Sequence, residues 1–391
     1  MPGVPASDDA PPVHLAVALD GTGWHPASWR EPDARPLDLL SPRYWVDIVG
    51  EAERGHLDFV TVEDAFTPQY DDPSTADDRV DRVRGRLDAV LIAARVAPLT
   101  HRIGLVPTVV VTHTEPFHVS KAIATLDYVS KGRAGVRIQV SASPEAARHI
   151  GRRSAAELTA GALIGEAADY VEVLRRLWDS WEDDAEIRDA VTGRFVDRSK
   201  LHYIDFDGAF FSVRGPSITP RPPQGQPIVA ALSHAESTHA LVAGSVDIAF
   251  ITPHDAAEAG ATVQAITSRA SLERRSVSVF ADLVVFLDGS EGAARGRRDR
   301  LDDRARSRFT SDAAVFVGTP GQLADLIEQW HAAGLAGFRL RPAVIPHDLV
   351  QIVDGLVPEL RRRGVFRPAQ EATTLRDTLG FSRPANRYAT A

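Results

Sequence analysis

The chain has 391 residues and a formal net charge of −9, with 44% apolar and 25% charged residues. This composition is ordinary for a soluble globular protein that buries a large core. The negative charge and the scattered basic residues disfavour nucleic acid as a partner, and no apolar run approaches the roughly 20 residues of a membrane helix. The absence of cysteine excludes disulfides, thiolate catalysis and cysteine-ligated metal.

The N-terminal residues MPGVPASDDAPP are rich in proline and acidic residues and contain no apolar segment. They predict a disordered lead over residues 1–12 rather than a signal peptide, so we expect a cytoplasmic protein. Residues 13–391 are predicted to form one domain that contains eight strands. The strands are predicted near 13–19, 57–62, 103–111, 135–141, 227–232, 246–251, 277–286 and 336–341.

Helical patterns lie between these strands. They lie near 42–54, 85–97, 116–130, 154–182, 235–243, 254–271, 320–333 and 346–362. The alternation predicts an α/β fold with a parallel sheet, and eight units allow the sheet to close into a (β/α)8 TIM barrel. A doubly wound open sheet is the alternative, but no G-x-G-x-x-G turn follows the first strand.

Two long segments interrupt the alternation, at about 183–226 and 288–319. Insertions at the C-terminal face of a barrel commonly form lids, although a solvated helix also explains the charge-dense second segment. The C-terminal tail, about 366–391, carries Leu375, Leu379 and Phe381, which can pack against the barrel or a second subunit.

Polar residues follow the predicted strands, at the end of the barrel where active sites lie. His25 follows the first strand, and histidine is the usual proton-transfer residue near neutral pH. We consider His25 either a proton donor or substrate contact, or a plain loop histidine. His113, after the third strand, has the same two interpretations. No H-E-x-x-H or comparable ligand set is present, so no metal site is predicted.

Ser233 and His234 open the helix after the fifth strand. The free N–H groups of a helix start and a serine hydroxyl suit a phosphate group. Any helix start with a serine has this pattern, so alone it indicates little.

Several sequence segments resemble the bacterial luciferase-like, flavin-dependent monooxygenases, and most closely their nitrilotriacetate and dibenzothiophene-sulfone monooxygenase branch. The resemblance rests on HTEPFH (113–118) and ATLDYVSKGRAG (124–135). It continues in GTGWHPASWR (21–30), AERGHLDFVTVEDAF (52–66) and TPRPPQGQPIVAALSHAES (219–237). These motifs recur in order over nearly the whole chain.

The resemblance implies a flavin site at the barrel mouth. Asp64 and Thr108 match residues beside the isoalloxazine, and Ser233 with His234 matches the loop that receives the FMN phosphate. The family's Trp-Asn corresponds to Val136-Arg137 here, so the usual amide is missing. Gln139, on the same face of the strand, can supply one instead.

Two further departures lie at Ala160 and Ile164, where the family has a histidine and a tyrosine. Arg137 brings a fixed positive charge that favours anionic reduced flavin or an acidic substrate. His25 and Arg137 are therefore the predicted catalytic residues.

The resemblance implies an FMN-dependent monooxygenase that uses O2 and a small organic substrate. Reduced FMN would come from a separate, transiently bound reductase, and the protein would be a homodimer. Two alternatives stay open. The first is a deazaflavin-dependent hydride-transfer oxidoreductase, and the second is a flavin-binding relative without catalytic activity.

Overall fold

The computed structural model describes residues 11–69, 77–368 and 373–389. Residues 1–10, most of the predicted lead, lie outside this range. The described residues form these strands: β1 (His14–Leu19), β2 (Phe59–Val62), β3 (Gly104–Val110), β4 (Gly135–Gln139), β5 (Glu186–Asp189), β6 (Arg194–Val196), β7 (Phe206–Asp207), β8 (Ser212–Val213), β9 (Ile228–Leu232), β10 (Ile248–Ile251), β11 (Ser278–Leu287), β12 (Ala314–Gly318) and β13 (Gly337–Pro342).

The helices alternate with the long strands. They are α1 (Pro42–Arg54), α2 (Ala89–Val96), α3 (Pro116–Val129), α4 (Pro144–Ile150), α5 (Ala160–Asp179), α6 (Glu236–Ser245), α7 (Ala256–Leu272), α8 (Glu291–Ala305), α9 (Pro320–His331), α10 (His347–Gln351), α11 (Val357–Arg362) and α12 (Leu375–Thr378). A π-helical turn, Ile352–Leu356, joins α10 to α11. No helix among the described residues combines the length and apolar character needed to cross a membrane.

Eight parallel strands close into a barrel in the order β1, β2, β3, β4, β9, β10, β11 and β13, and β13 pairs back to β1. The predicted (β/α)8 barrel is therefore confirmed, and its eight strands are the eight that the sequence predicts. Their residues are buried on both faces, as expected for strands with helices outside and packed side chains inside.

β11 is ten residues long and changes its neighbour halfway. Its first half pairs with β10 and its second half with β12, a strand that the sequence analysis missed. The extra strand follows α8, so the segment between α8 and β12 lies at the C-terminal end of the barrel. The other predicted insertion contains two short hairpins, β5 with β6 and β7 with β8.

The C-terminal tail packs against the opposite end of the barrel. Leu375 and Leu379 are buried with Phe59, Phe250 and Phe280 in one apolar cluster. A side chain at Gly104 would collide with Leu375, so this glycine leaves space for the tail. The described part of the tail is thus part of the core of its own chain.

Candidate active site

The C-terminal mouth of the barrel contains a cavity of about 540 Å³, which we call the mouth cavity. This volume is within the roughly 300–1,000 Å³ range of small-molecule sites. Its walls come from the loop after β1, the loop after β2, the end of β4 and the segment after α8. Its lining includes His25, Glu63, Asp64, Gln139 and Phe309.

Arg137 bonds two other predicted site residues and one glutamate. Its Nη1 donates hydrogen bonds to Thr108 Oγ1 at 3.0 Å, to Gln139 Oε1 at 2.9 Å and to Glu63 Oε2 at 3.0 Å. Thr108 and Arg137 are register partners in β3 and β4, and Gln139 lies two residues on, where the side chain points to the same face. The structure therefore brings Arg137, Thr108 and Gln139 together, around a carboxylate that the sequence analysis did not select.

Burial and charge act in opposite directions within this cluster. Burial lowers the pKa of Arg137 to about 10, although Glu63 raises it. Burial alone would raise the pKa of Glu63, but Arg137, Arg339 and Arg341 outweigh it and hold this pKa below its usual value. Both side chains are thus charged near neutral pH, and the pair is internally neutral.

A second group of charges lies deeper in the barrel. Arg339 makes a two-pronged contact with Asp282, its register partner, and both residues are completely buried. Arg339 also reaches Glu63 Oε1 at 3.4 Å, and Arg341 binds Asp282 and Asp312. These contacts form a continuous ladder from Arg137 to Asp312.

Asp64 lies at the rim of the mouth cavity. Its carboxylate accepts hydrogen bonds from the backbone N–H of Ala65 at 2.8 Å and of Ala89, the first residue of α2, at 3.0 Å. Burial raises the pKa of Asp64, and the two N–H groups counter that effect. The side chain therefore fixes the start of α2 beside the cavity.

His25 is fully buried in the loop after β1. The backbone of this loop binds the end of β13, and a Cβ on Gly23 would collide with the carbonyl oxygen of Ala343. His25 Nδ1 accepts from the N–H of Ala27 at 3.1 Å, so the proton is on Nε2, which donates to Asp302 at 3.1 Å. Burial lowers the pKa of His25 although Asp302 raises it, so the neutral ring is favoured. Both ring nitrogens are hydrogen-bonded within the protein, so neither is free to exchange a proton with a bound molecule in this conformation. Proton transfer through His25 therefore stays a prediction.

α6 begins at Glu236 and its N-cap is Ala235, so Ser233 and His234 lie before the helix and do not open it as the sequence predicts. They also do not contact the Arg137 cluster. The hydroxyl of Ser233 is buried and bonded to the hydroxyl of Thr238 at 2.9 Å, and His234 is exposed. Their binding of a phosphate group stays a prediction.

Glu63 follows the second predicted strand, at the barrel mouth, but its grouping with Asp282 and Arg339 was not predicted. A signal was present, because Asp282 and Arg339 interrupt otherwise apolar strands and Arg341 repeats the charge two residues later. A charge inside a buried parallel strand needs a partner, so such residues predict a lumenal pair.

The model of the luciferase-like monooxygenase family matches residues 22–309. The chain belongs to this family. Among its relatives, N-acetyl-S-(2-succino)cysteine monooxygenase of Bacillus subtilis is 29% identical, covering 96% of this chain and 98% of the relative. Nitrilotriacetate monooxygenase component A of Aminobacter aminovorans is also 29% identical, with the same coverage. The predictions of the family and of a flavin-dependent monooxygenase are confirmed at this level.

Solved structures agree with this luciferase-like fold. A long-chain alkane monooxygenase superposes with a TM-score of 0.85 at 23% identity, covering 95% of this chain and 96% of the other. A riboflavin lyase solved with modified FMN and riboflavin gives a TM-score of 0.85 at 24% identity, covering 96% and 98%. At these identities the superpositions show the fold alone.

Donor groups at the end of β4 suit a flavin ring bound in the mouth cavity. Gln139 lines this cavity, and its amide nitrogen makes no hydrogen bond to the described residues. Arg137 does not line the cavity but bonds Gln139 through Nη1, and its buried Nε has no partner among the described residues. An isoalloxazine has carbonyl oxygens and ring nitrogens that accept from such donors. A buried donor without a partner is rare in native proteins, so a ligand that accepts from it would be stabilising.

Proposed function

We propose that this chain is a monooxygenase that takes reduced FMN from a separate reductase and uses O2 to oxygenate a small organic substrate in the mouth cavity. The observation that carries the proposal is the unpaired donor set of Arg137 and Gln139 at the end of β4, beside a cavity of about 540 Å³. This is where a luciferase-like barrel offers a site, at the C-terminal ends of its strands.

Bound reduced flavin would supply the electrons that activate O2. The protein's own residues would hold and orient the ring. Arg137 and Gln139 would donate to its acceptor atoms, and Thr108 would keep the guanidinium in place through its 3.0 Å bond. Asp64 would fix the rim of the cavity through α2.

Arg137 would favour the anionic ring of the reduced cofactor over the uncharged ring of the oxidised one. Its charge is fixed at neutral pH even though burial lowers its pKa to about 10. A preorganised cation stabilises negative charge strongly where water is excluded. Glu63 limits this effect, because it neutralises part of the arginine's field.

His25 would shield the cavity as well as transfer protons. Its ring packs against Phe286 and Phe309, and Phe309 lines the mouth cavity. Proton transfer would require the bond to Asp302 to open, which frees Nε2–H towards the cavity.

The name of one relative supports the proposal of a separate reductase. The nitrilotriacetate monooxygenase relative is named as one component of its system. Multi-component systems of this kind support a partner that delivers the reduced cofactor. We also propose a cytoplasmic homodimer, as the family resemblance implies, and light scattering after size exclusion would test the dimer.

The decisive experiment is an anaerobic titration of the purified protein with photoreduced FMN, followed by rapid mixing with oxygenated buffer. We expect saturable binding and a reoxidation rate that differs from that of free reduced FMN. Parallel titrations with a reduced deazaflavin test the hydride-transfer alternative. Binding of the deazaflavin without binding of FMN would replace the proposal with that alternative.

Binding of FMN with reoxidation unchanged by the protein, with or without candidate substrates, would favour a flavin-binding relative without catalytic activity. Arg137→Lys is a matched variant for this assay, because it keeps the charge but loses the planar fork of donors. It should bind reduced FMN more weakly than the wild type.

A further inference from the structure

One wall of the mouth cavity is a short segment after α8, residues 307–310, which we call the rim segment. All four of its residues line the cavity. α8 comes after β11, and β11 is three strands away from β4 in the order of the barrel. The rim segment therefore lies on a different side of the cavity from Gln139, the donor at the end of β4.

Hydrogen bonds and ring contacts hold the rim segment in place. The backbone N–H of Phe309 donates to Asp302 Oδ1 at 2.8 Å, and the same oxygen accepts from His25 Nε2 at 3.1 Å. The centroids of the Phe309 and His25 rings are 5.2 Å apart. α8 is also bound to the loop after β1, because Arg304 pairs with Glu31, whose side chain is 5% exposed. This part of the wall is thus fixed before a ligand binds, which lowers the entropic cost of binding.

The arginines of this region differ in their partners. Every arginine on α8 has a carboxylate partner, namely Arg295, Arg297, Arg298, Arg300 and Arg304. Arg306 and Arg308 follow the helix, and their side chains form no ion pair or hydrogen bond with the described residues. Both are exposed, but only Arg308 lines the mouth cavity. Its guanidinium is therefore available to a ligand in that cavity.

The carboxylates that line the mouth cavity do not neutralise Arg308. Asp20 and Glu63 each pair with another arginine, at 2.8 Å and 3.0 Å. Asp64 accepts from two backbone N–H groups. Thr310 adds a hydroxyl to the same wall, and this hydroxyl makes no hydrogen bond with the described residues. A carboxylate complements such a wall, because its oxygens accept strong, charge-assisted bonds from a guanidinium.

We infer that the rim segment binds the carboxylate of a small organic acid, with Arg308 as the charged donor and Thr310 as a hydroxyl donor. The inference names the substrate class of the proposed monooxygenase, so it rests on the proposed function. The carboxylate lies at the rim, and the rest of the acid extends towards the flavin site beside Gln139. A guanidinium and a carboxylate meet through two parallel N–H···O bonds, a geometry that a lysine does not reproduce.

The test measures the binding of three acids and of their uncharged amides by ligand-observed NMR. The probes are benzoate, glutarate and propane-1,2,3-tricarboxylate, each compared with its amide, in the presence and absence of saturating oxidised FMN. The proteins are the wild type, Arg308→Gln, Arg308→Lys and the control Arg306→Gln. The control removes the same charge from an exposed arginine that does not line the mouth cavity.

We expect the wild type to bind at least one acid more tightly than its amide. Arg308→Gln should weaken the binding of that acid about three- to tenfold, between the effects of an exposed ion pair and of a charged hydrogen bond. The affinity for the amide should stay unchanged, whereas a merely structural role of Arg308 would lower both affinities equally. Arg308→Lys should bind the acid with intermediate affinity, and Arg306→Gln should behave as the wild type.

The inference is overturned if no acid binds more tightly than its amide, or if Arg308→Gln leaves the affinities for the acids unchanged. It is also overturned if Arg306→Gln weakens the acids as much as Arg308→Gln, because the effect would then be one of general surface charge. If the acids bind through Arg308 but FMN does not bind, the proposed function is wrong and the rim segment is still an acid-binding site.

Discussion

Two arginine–carboxylate pairs in the barrel interior differ in how completely their polar atoms are bonded: the mouth pair of Arg137 with Glu63, and the deep pair of Arg339 with Asp282. In the deep pair, every nitrogen of the Arg339 guanidinium contacts Asp282, Thr61 or Glu63. In the mouth pair, all three bonds of Arg137 pass through Nη1, and Nε is buried without a partner among the described residues.

This difference indicates that the deep pair stabilises the fold, whereas the mouth pair can bind a ligand. A fully bonded buried pair has no free hydrogen-bonding group for a ligand. Asp282 and Arg339 therefore stabilise the pairing of their strands, and Arg339 also contacts Glu63. A partly bonded pair retains donors, and the free-energy penalty of leaving them unpaired is relieved only when a ligand accepts from them. The same residue types therefore have different roles at two depths of one barrel.

The largest expected effect comes from breaking the deep pair. Asp282→Asn removes the charge that compensates Arg339 and Arg341, which are 0% and 2% exposed. Loss of one partner of a buried ion pair costs about 3–5 kcal/mol, and we expect that decrease in the free energy of unfolding from urea denaturation.

Asp312→Asn is the matched control at the exposed end of the ladder. The Asp312 side chain is 50% exposed, so its loss should lower stability by about 1 kcal/mol or less. If the free energy of unfolding falls equally in the two variants, the buried deep pair is no more important for stability than the exposed end of the ladder.

The fold was predictable because its signals are local. Apolar strands such as Gly104–Val110 and amphipathic helices such as α1 alternate eight times, and the barrel is the closed arrangement of such units. β12 was missed because Ala314–Gly318 lies at the end of the segment that was interpreted as a charge-dense insertion. Its pairing depends on the unusual length of β11, which no local pattern reveals.

The candidate site was predictable in its residues but not in their pairing. Arg137, Thr108 and Gln139 were selected separately, and register places them around one guanidinium nitrogen. The role of Glu63 depends on Arg339, which is 276 residues away in the chain. Such a contact is fixed by barrel closure and cannot be read from neighbouring residues.

The mouth pair can be broken by a substitution that leaves the contacts between Arg339 and Asp282 in place. Arg137→Gln removes the fixed charge, and we expect affinity for reduced FMN to fall about tenfold to 100-fold, as for a charged hydrogen bond. Affinity for oxidised FMN should fall less, because that ring carries no charge. Anaerobic and aerobic titrations measure the two constants, and an equal fall in both would remove the proposed role of the charge.

A smaller effect is expected from the amide beside it. Gln139→Met keeps the length of the side chain but loses both the unpaired donor and the oxygen that accepts from Arg137 Nη1, so oxidised FMN should bind about two- to tenfold more weakly. Thr67→Val is the control, because it alters the wall of the mouth cavity with little change in volume. If the control weakens binding as much as Gln139→Met, then the shape of the cavity matters and the amide does not.

The smallest expected effect is on the pH dependence of stability and concerns His25. This residue lies at the barrel mouth, but both of its ring nitrogens are hydrogen-bonded within the protein. Its pKa in the folded protein is below the ordinary value of 6.5, because burial outweighs the attraction of Asp302. The unfolded chain therefore binds the proton more readily, and stability decreases as the pH falls through about 6.5. His25→Gln cannot titrate, so its free energy of unfolding should decrease less than that of the wild type between pH 8 and pH 5, roughly the range over which histidine changes charge. If stability changes with pH equally in the two proteins, His25 has the same pKa in the folded and unfolded states. The assignment of a neutral ring bonded to Asp302 would then be wrong.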